Sequence, residues 1–241
     1  MDNRAIGVFD SGLGGLTVLK EINKYLPNED IIYFGDTARV PYGSRSKETI
    51  IKYTFQAINF LAEQNVKAIV IACNTASARA LLEAREEYDI PIMGVIEPGA
   101  RTAVYSTRNK VVGVIGTAAT VNSKAYNKAI KSKDSSIRVI GKACPIFVPL
   151  VEEGWANNPI LKRTIGEVVG KDVKLINPAK ETALDLKDVL EKRDMMNDSD
   201  QKGTCKYFVS DINEQFSKVA SEFLKKKIKN ENLEKVEIHR Y

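Results

Sequence analysis

Short apolar runs recur along the chain, and most of them stop on small polar residues. Residues 5–9, 30–34 and 68–72 are aliphatic and β-branched runs of the length of buried parallel strands. Between them, 17–26 and 47–64 carry apolar residues at helical spacing, and ARALLEAREEY at 78–88 repeats that pattern after the third run. The order β-α-β-loop-α-β-α predicts an α/β fold, with a parallel sheet covered by helices on both faces. A fourth strand is predicted at 90–95, and Ile96-Glu97-Pro98-Gly99 reads as a hinge. A second series follows. It has strands at 110–116 and 137–142, a short amphipathic segment at 148–155, a helix at 158–169 and a strand at 173–176. A helix at 181–193, a polar loop at 194–206, a strand at 207–210 and a helix at 213–226 end the pattern.

The polar strand ends carry the candidate chemistry. Cys73 closes the 68–72 run, at the carboxyl edge of an open α/β sheet where ligands bind. A helix N-terminus there favours thiolate over thiol, so Cys73 is expected to be acidic and reachable from solvent. A lone Cys is more often a small buried hydrophobe. The Asn74-Thr75 that follows turns the reading toward a reactive group, since a core Cys needs no side-chain donors beside it. After the first strand, Asp10-Ser11-Gly12-Leu13-Gly14-Gly15 brings three glycines to a strand-to-helix turn. It lacks the Lys-Ser/Thr of a P-loop and the GxGxxG spacing, and is expected to hold a ligand carboxylate. The loop at 35–44 and the hydroxyls at 117–120 reach strand ends in the same way.

Composition narrows the class. The net charge of +5 is concentrated at 224–235, LKKKIKNENLEK, which lacks interleaved aromatics and reads as a solvated helix exit. No nucleic-acid partner is expected. The three cysteines, without CxxC spacing, argue against a disulfide framework and against a metal site. The one histidine, His239, is third from the end and reads as frayed, which excludes an imidazole mechanism. No apolar stretch has the length of a membrane span and no signal-peptide pattern opens the chain, so a cytoplasmic location is expected.

At DSGLGGLTV, YFGDTARVPYG, ACNTASA, GVIEPG, GVIGTAAT and ACPIFVPLVEEGW the chain resembles the glutamate racemases, of the aspartate/glutamate racemase superfamily. The resemblance implies two facing parallel-sheet α/β domains with the amino acid between them. The first would span 1–97, completed by 178–241, and the second 98–177. It also implies cofactor-independent interconversion of L- and D-glutamate by thiol proton transfer, supplying D-glutamate for peptidoglycan. The partner is then the small-molecule substrate, and a homodimer is a candidate assembly. Carried over by motif, Cys73 is the acid or base of the first domain, facing the α-hydrogen of D-glutamate. Asp10, Ser11, Tyr42, Gly43, Asn74, Thr75, Thr117 and Thr120 are the substrate contacts. Asp10 is expected to tune the thiol through its charge, and Glu152 to stand just outside these contacts.

The chain departs from the family at one place. The Gly-Cys-Thr-His motif with the second thiol has no counterpart: residues 156–163 run straight into Thr164-Ile165-Gly166-Glu167. About a helix and a strand, on the order of thirty residues, are missing from the second domain. Cys144 precedes Pro145, which has no N–H to begin an anion-holding turn, and reads as structural. Cys205 falls in the polar loop. Three readings stay open: a racemase, a glutamate-binding or interaction module that kept the fold, and a one-thiol enzyme of proton exchange or decarboxylation.

Overall fold

A computed structural model of the chain describes residues 1–154 and 158–241. The apolar runs become β1 (Ile6–Asp10), β2 (Ile31–Gly35), β3 (Ala68–Ile71) and β4 (Ile92–Gly94). They alternate with α1 (Leu16–Tyr25), α2 (Lys47–Glu63), α3 (Asn74–Glu87) and α4 (Ile96–Ser106). With β7 (Cys205–Val209) and β8 (Leu233–Lys235) they form a six-stranded parallel sheet in the order β4-β3-β1-β2-β7-β8. Every residue of β1, β2 and β3 is buried, which is why these strands read as continuous apolar runs instead of alternating ones. One face is covered by α1 with α9 (Pro178–Lys192) and α10 (Glu214–Leu224), through Leu19, Ile22, Leu186 and Phe216. The other is covered by α2 and α3, through Ile58, Phe60, Ala76 and Leu81.

Among the described residues, the second sheet has only β5 (Val111–Gly116) and β6 (Arg138–Ala143), in parallel. Around it lie α5 (Ala118–Ser123), α6 (Ala125–Lys131), α7 (Phe147–Glu152) and α8 (Asn158–Val169). Its core is small: Ala100, Ala103, Ile130 and Ile137. Ile115 and Ile140, one on each strand, are 47% and 49% exposed. Two strands alone do not make a stable sheet. This pair is held by α6 packing on α4, which in turn packs on α9.

Several expectations are corrected. Residues 96–99, read as a loop-like breaker, are instead the first turn of α4, with Ile96, Pro98 and Gly99 buried, and Pro98 loses no helical hydrogen bond there. Among the described residues, 173–176 pair with no strand, and Val173 is half exposed. Their apolar pattern serves side-chain packing instead, with Ile176 against the small core of the second sheet. The lysine-rich exit at 224–235 contains β8, with Ile228 and Leu233 buried beneath exposed lysines. The C-terminus is not frayed: Ile238 is buried in a 3-10 turn (Ile238–Arg240) and the Tyr241 ring stands edge-on to Phe60 at 5.4 Å. Cys205 opens β7 instead of lying in a loop. Trp155 and the start of the 156–163 junction lie outside the described residues. Among the described residues, no helix is long and apolar enough to cross a membrane.

Candidate active site

β1 and β3 are neighbours in parallel register, with Phe9 opposite Ile71, so their carboxyl ends arrive side by side. Cys73 is the N-cap residue of α3, and the Ala76 N–H points at its sulfur from 3.5 Å. Ser11, just past the end of β1, places its Oγ 3.3 Å from Cys73 Sγ. Asn74 and Thr75 belong to the first turn of α3 instead of a loop before it.

The glycine turn is already filled. Asp10 Oδ2 accepts the Gly12 N–H at 2.9 Å, and the N–H groups of Ser11, Gly14 and Gly15 also face this carboxylate. The Leu13 N–H goes to Glu152 Oε1 on α7 at 2.9 Å. The turn therefore holds two of the protein's own carboxylates, not a ligand's. Gly12 leaves room for this approach, since a Cβ there would lie 2.3 Å from Glu152 Oε1 and displace the carboxylate. Burial pushes the Asp10 carboxyl up despite its N–H partners. It raises Glu152 to about 7, with the Asp10 charge adding to it.

The expected acidic thiol is overturned by the same physics. Cys73 is only 5% exposed, and burial together with the Asp10 charge lifts its pKa to about 11. The Ser11 and Ala76 contacts pull it down by less. The tuning by Asp10 is present, and its direction holds the proton on.

The second sheet supplies hydroxyls. Thr117 caps α5, and the Oγ1 atoms of Thr75, Thr117 and Thr120 form a triangle with sides of 2.9, 3.0 and 3.4 Å. Gly43 sits against Thr117, where a Cβ would lie 2.5 Å from the threonine Cβ. The Tyr42 phenol is committed to Asp36, which also accepts from Arg39 Nε and Ser210 Oγ, each at 2.7 Å. Tyr126 on α6 donates to Asn74 Oδ1 at 2.8 Å.

All ten residues singled out from the sequence line one open cavity of about 1560 Å³. Cys144, just past the end of β6, lines it too, with its sulfur 3.7 Å from the Lys142 carbonyl of that strand. Cys205 does not line it. Beyond the thiol, the cavity continues past Ile115 and Ile140 to Leu161 and Ile165 of α8. Sequence reasoning missed Asp36 and Tyr126. Asp36 had a signal, a carboxylate in a polar loop ahead of Tyr42, whereas nothing around Tyr126 distinguishes it from an ordinary helical aromatic.

The model of the family "Asp/Glu/Hydantoin racemase" matches residues 6–175. A glutamate racemase of Geobacter metallireducens is 46% identical over 92% of this chain and 93% of that protein. One from Thermoanaerobacter pseudethanolicus is 45% identical over 270 aligned positions that cover both chains completely. Those 270 positions hold the 241 residues of this chain, so about 29 of them have no residue here. The solved structure of a Francisella tularensis glutamate racemase in complex with D-glutamate is 38% identical, with a TM-score of 0.91 and complete coverage of both chains. The Cys73 cleft thus lies on a backbone shared with the Francisella tularensis structure, and the chain belongs to the glutamate racemases of the Asp/Glu/Hydantoin racemase family.

Proposed function

We propose that this chain binds glutamate in the cavity between the two sheets and works on its α-proton through one thiol, Cys73. The supporting observation is the setting of that thiol: at the head of α3, bonded to Ser11, under hydroxyls from both sheets. Asn74, Thr75, Thr117 and Thr120 are read as donors to the substrate's carboxylates, and Asp10, Ser11, Tyr42 and Gly43 as the rest of the wall. Glu152 stands behind the glycine turn. The division into 1–97 with 178–241 and 98–177 belongs to this reading, since each range carries one sheet.

Thiolate Cys73 takes the α-proton, and the electron pair left on the α-carbon spreads into the α-carboxylate, where donors stabilise it. The thiol then returns a proton to the same face. Inversion needs an acid on the opposite face, placed to a fraction of an ångström. Cys144 directs its sulfur toward the Lys142 carbonyl at the end of β6, and no cysteine besides it and Cys73 shares the cavity among the described residues. About 29 alignment positions without a residue here, together with a two-stranded second sheet, support loss of the piece that carries the family's second thiol. The reading includes a homodimer, which a solution mass measurement checks.

The test is deuterium uptake at the α-carbon of each glutamate enantiomer in heavy water, beside chiral chromatography. D-glutamate is expected to exchange slowly without inversion, and Cys73→Ala to abolish the exchange. Inversion that disappears in Cys144→Ala would overturn this and make Cys144 the second acid.

A further inference from the structure

Apart from the hydroxyl triangle, Tyr126 joins the second sheet's helices to the head of α3. Its phenol donates to Asn74 Oδ1 at 2.8 Å. Asn74 is the first residue of α3 and is exposed to the cavity. Among the described residues its Nδ2 carries no hydrogen bond. An amide has two faces of opposite polarity: with Oδ1 toward the cavity it repels a carboxylate, with Nδ2 toward the cavity it donates to one. Rotation about its last bond is soft, so a partner has to choose between them.

The surroundings of Tyr126 make that choice. Its ring lies against the backbone of α4, close enough that a Cβ on Gly99 would be 3.4 Å from the ring and 3.5 Å from the phenol oxygen. Tyr126 is half-buried, and a phenol partly withdrawn from water favours a fixed acceptor on the protein for its single proton. Burial favours the neutral phenol, which keeps this proton available at any physiological pH. The acceptor it meets is Asn74 Oδ1.

We propose that Tyr126 is a positioning residue for substrate recognition, locking Asn74 Oδ1 to its phenol so that Nδ2 faces the cavity as a donor to a substrate carboxylate. This rests on the reading of Asn74 as a substrate contact. The bond also spans the two sheets, so it sets the distance between Asn74 and the threonines across the cleft.

The experiment is calorimetric binding of D-glutamate to the full chain, the Tyr126→Phe and Asn74→Ala variants, and the double variant. Asn74 side-chain amide resonances are recorded alongside without ligand. Tyr126→Phe is expected to weaken binding about 3- to 10-fold, one hydrogen bond's worth, with Tm unchanged. The double variant should bind no more weakly than Asn74→Ala, because Tyr126 acts only through that amide. Without ligand, Tyr126→Phe should shift the Asn74 amide resonances and speed their exchange. Additive losses, or wild-type affinity in Tyr126→Phe, overturn the inference. A wild-type chain that binds no D-glutamate overturns the reading of the site instead, and the ligand-free resonances then still decide whether Tyr126 holds the amide.

Discussion

Glu152→Gln should remove a fall in stability that the wild-type chain suffers between about pH 4.5 and pH 7. Burial raises the folded-state pKa of Glu152 from 4.5 to about 7. The folded chain therefore holds this proton more tightly than the unfolded chain does. Its contribution is complete below about pH 4.5 and lost as pH rises through about 7. The groups facing the carboxyl are the Leu13 N–H, which opposes the rise, and Asp10 and Glu153, which add to it. A shift of about two and a half pH units corresponds to about 3 kcal/mol, and partial solvent contact reduces that to about 2. For a chain of this size, each kcal/mol moves Tm by about 2–4 °C, giving a span of about 4–8 °C. Glutamine keeps an oxygen for the Leu13 N–H and never ionises. The variant-minus-wild-type difference in Tm, followed by scanning fluorimetry, should be near zero at pH 4.5 and reach that span at pH 7.5. Relief of Asp10 from a neighbouring charge acts in the same direction. A flat difference, or a variant less stable at pH 7.5, would show that folding does not raise the Glu152 pKa and that the glycine turn favours the carboxylate.

Iodoacetamide at pH 7.5 should modify Cys144 before Cys73, with the Cys73 rate climbing toward pH 11 and absent in Cys73→Ala; equal rates at pH 7.5 would contradict the burial argument. Hydrogen exchange should be faster in β5 and β6 than in β1 and β3, because among the described residues no strand pairs with either edge of the small sheet, and equal protection would refute that. Gly43→Ala forces a Cβ to within 2.5 Å of the Thr117 Cβ. It should weaken D-glutamate binding about tenfold or more by prising the cleft apart, while the large sheet keeps its exchange protection; unchanged affinity would show that the loop gives way.

The large sheet was legible because its strands are buried on both faces and announce themselves by length and β-branching, as at 68–72. The ten site residues were legible because small polar residues ended those runs. What pattern could not show was anything decided by a neighbour. Pro98 and Gly99 look like breakers, yet a proline fits a helix's first turn, and Gly99 faces Tyr126 and Pro178 at close range. β8 hides among lysines because an edge strand carries them on its open side. Residues 173–176 look like a strand but pair with none among the described residues. The Cys73 proton affinity failed for the same reason: the helix end is local, whereas burial and the Asp10 charge are not.

That raised affinity bears on how the site works. With a pKa of about 11, only about one Cys73 in ten thousand is thiolate at pH 7. A more basic thiolate abstracts a proton faster, but the gain follows a Brønsted slope below one, while the loss of population follows the shift in full. A high pKa in the empty cleft is thus a net handicap for abstraction unless binding reverses it. Part of the rise comes from the negative charge of Asp10. Glutamate brings an ammonium group, and a cation within about 4–6 Å of these groups offsets that charge and favours the thiolate. The empty cleft would then keep Cys73 protonated and inert, and the loaded cleft would activate it. On this argument the alkylation rate of the empty protein should break near pH 11, while deuterium exchange into bound D-glutamate should break at clearly lower pH. Coincident breaks would show that the substrate leaves the Cys73 proton affinity unchanged, and that Asp10 does not couple the two.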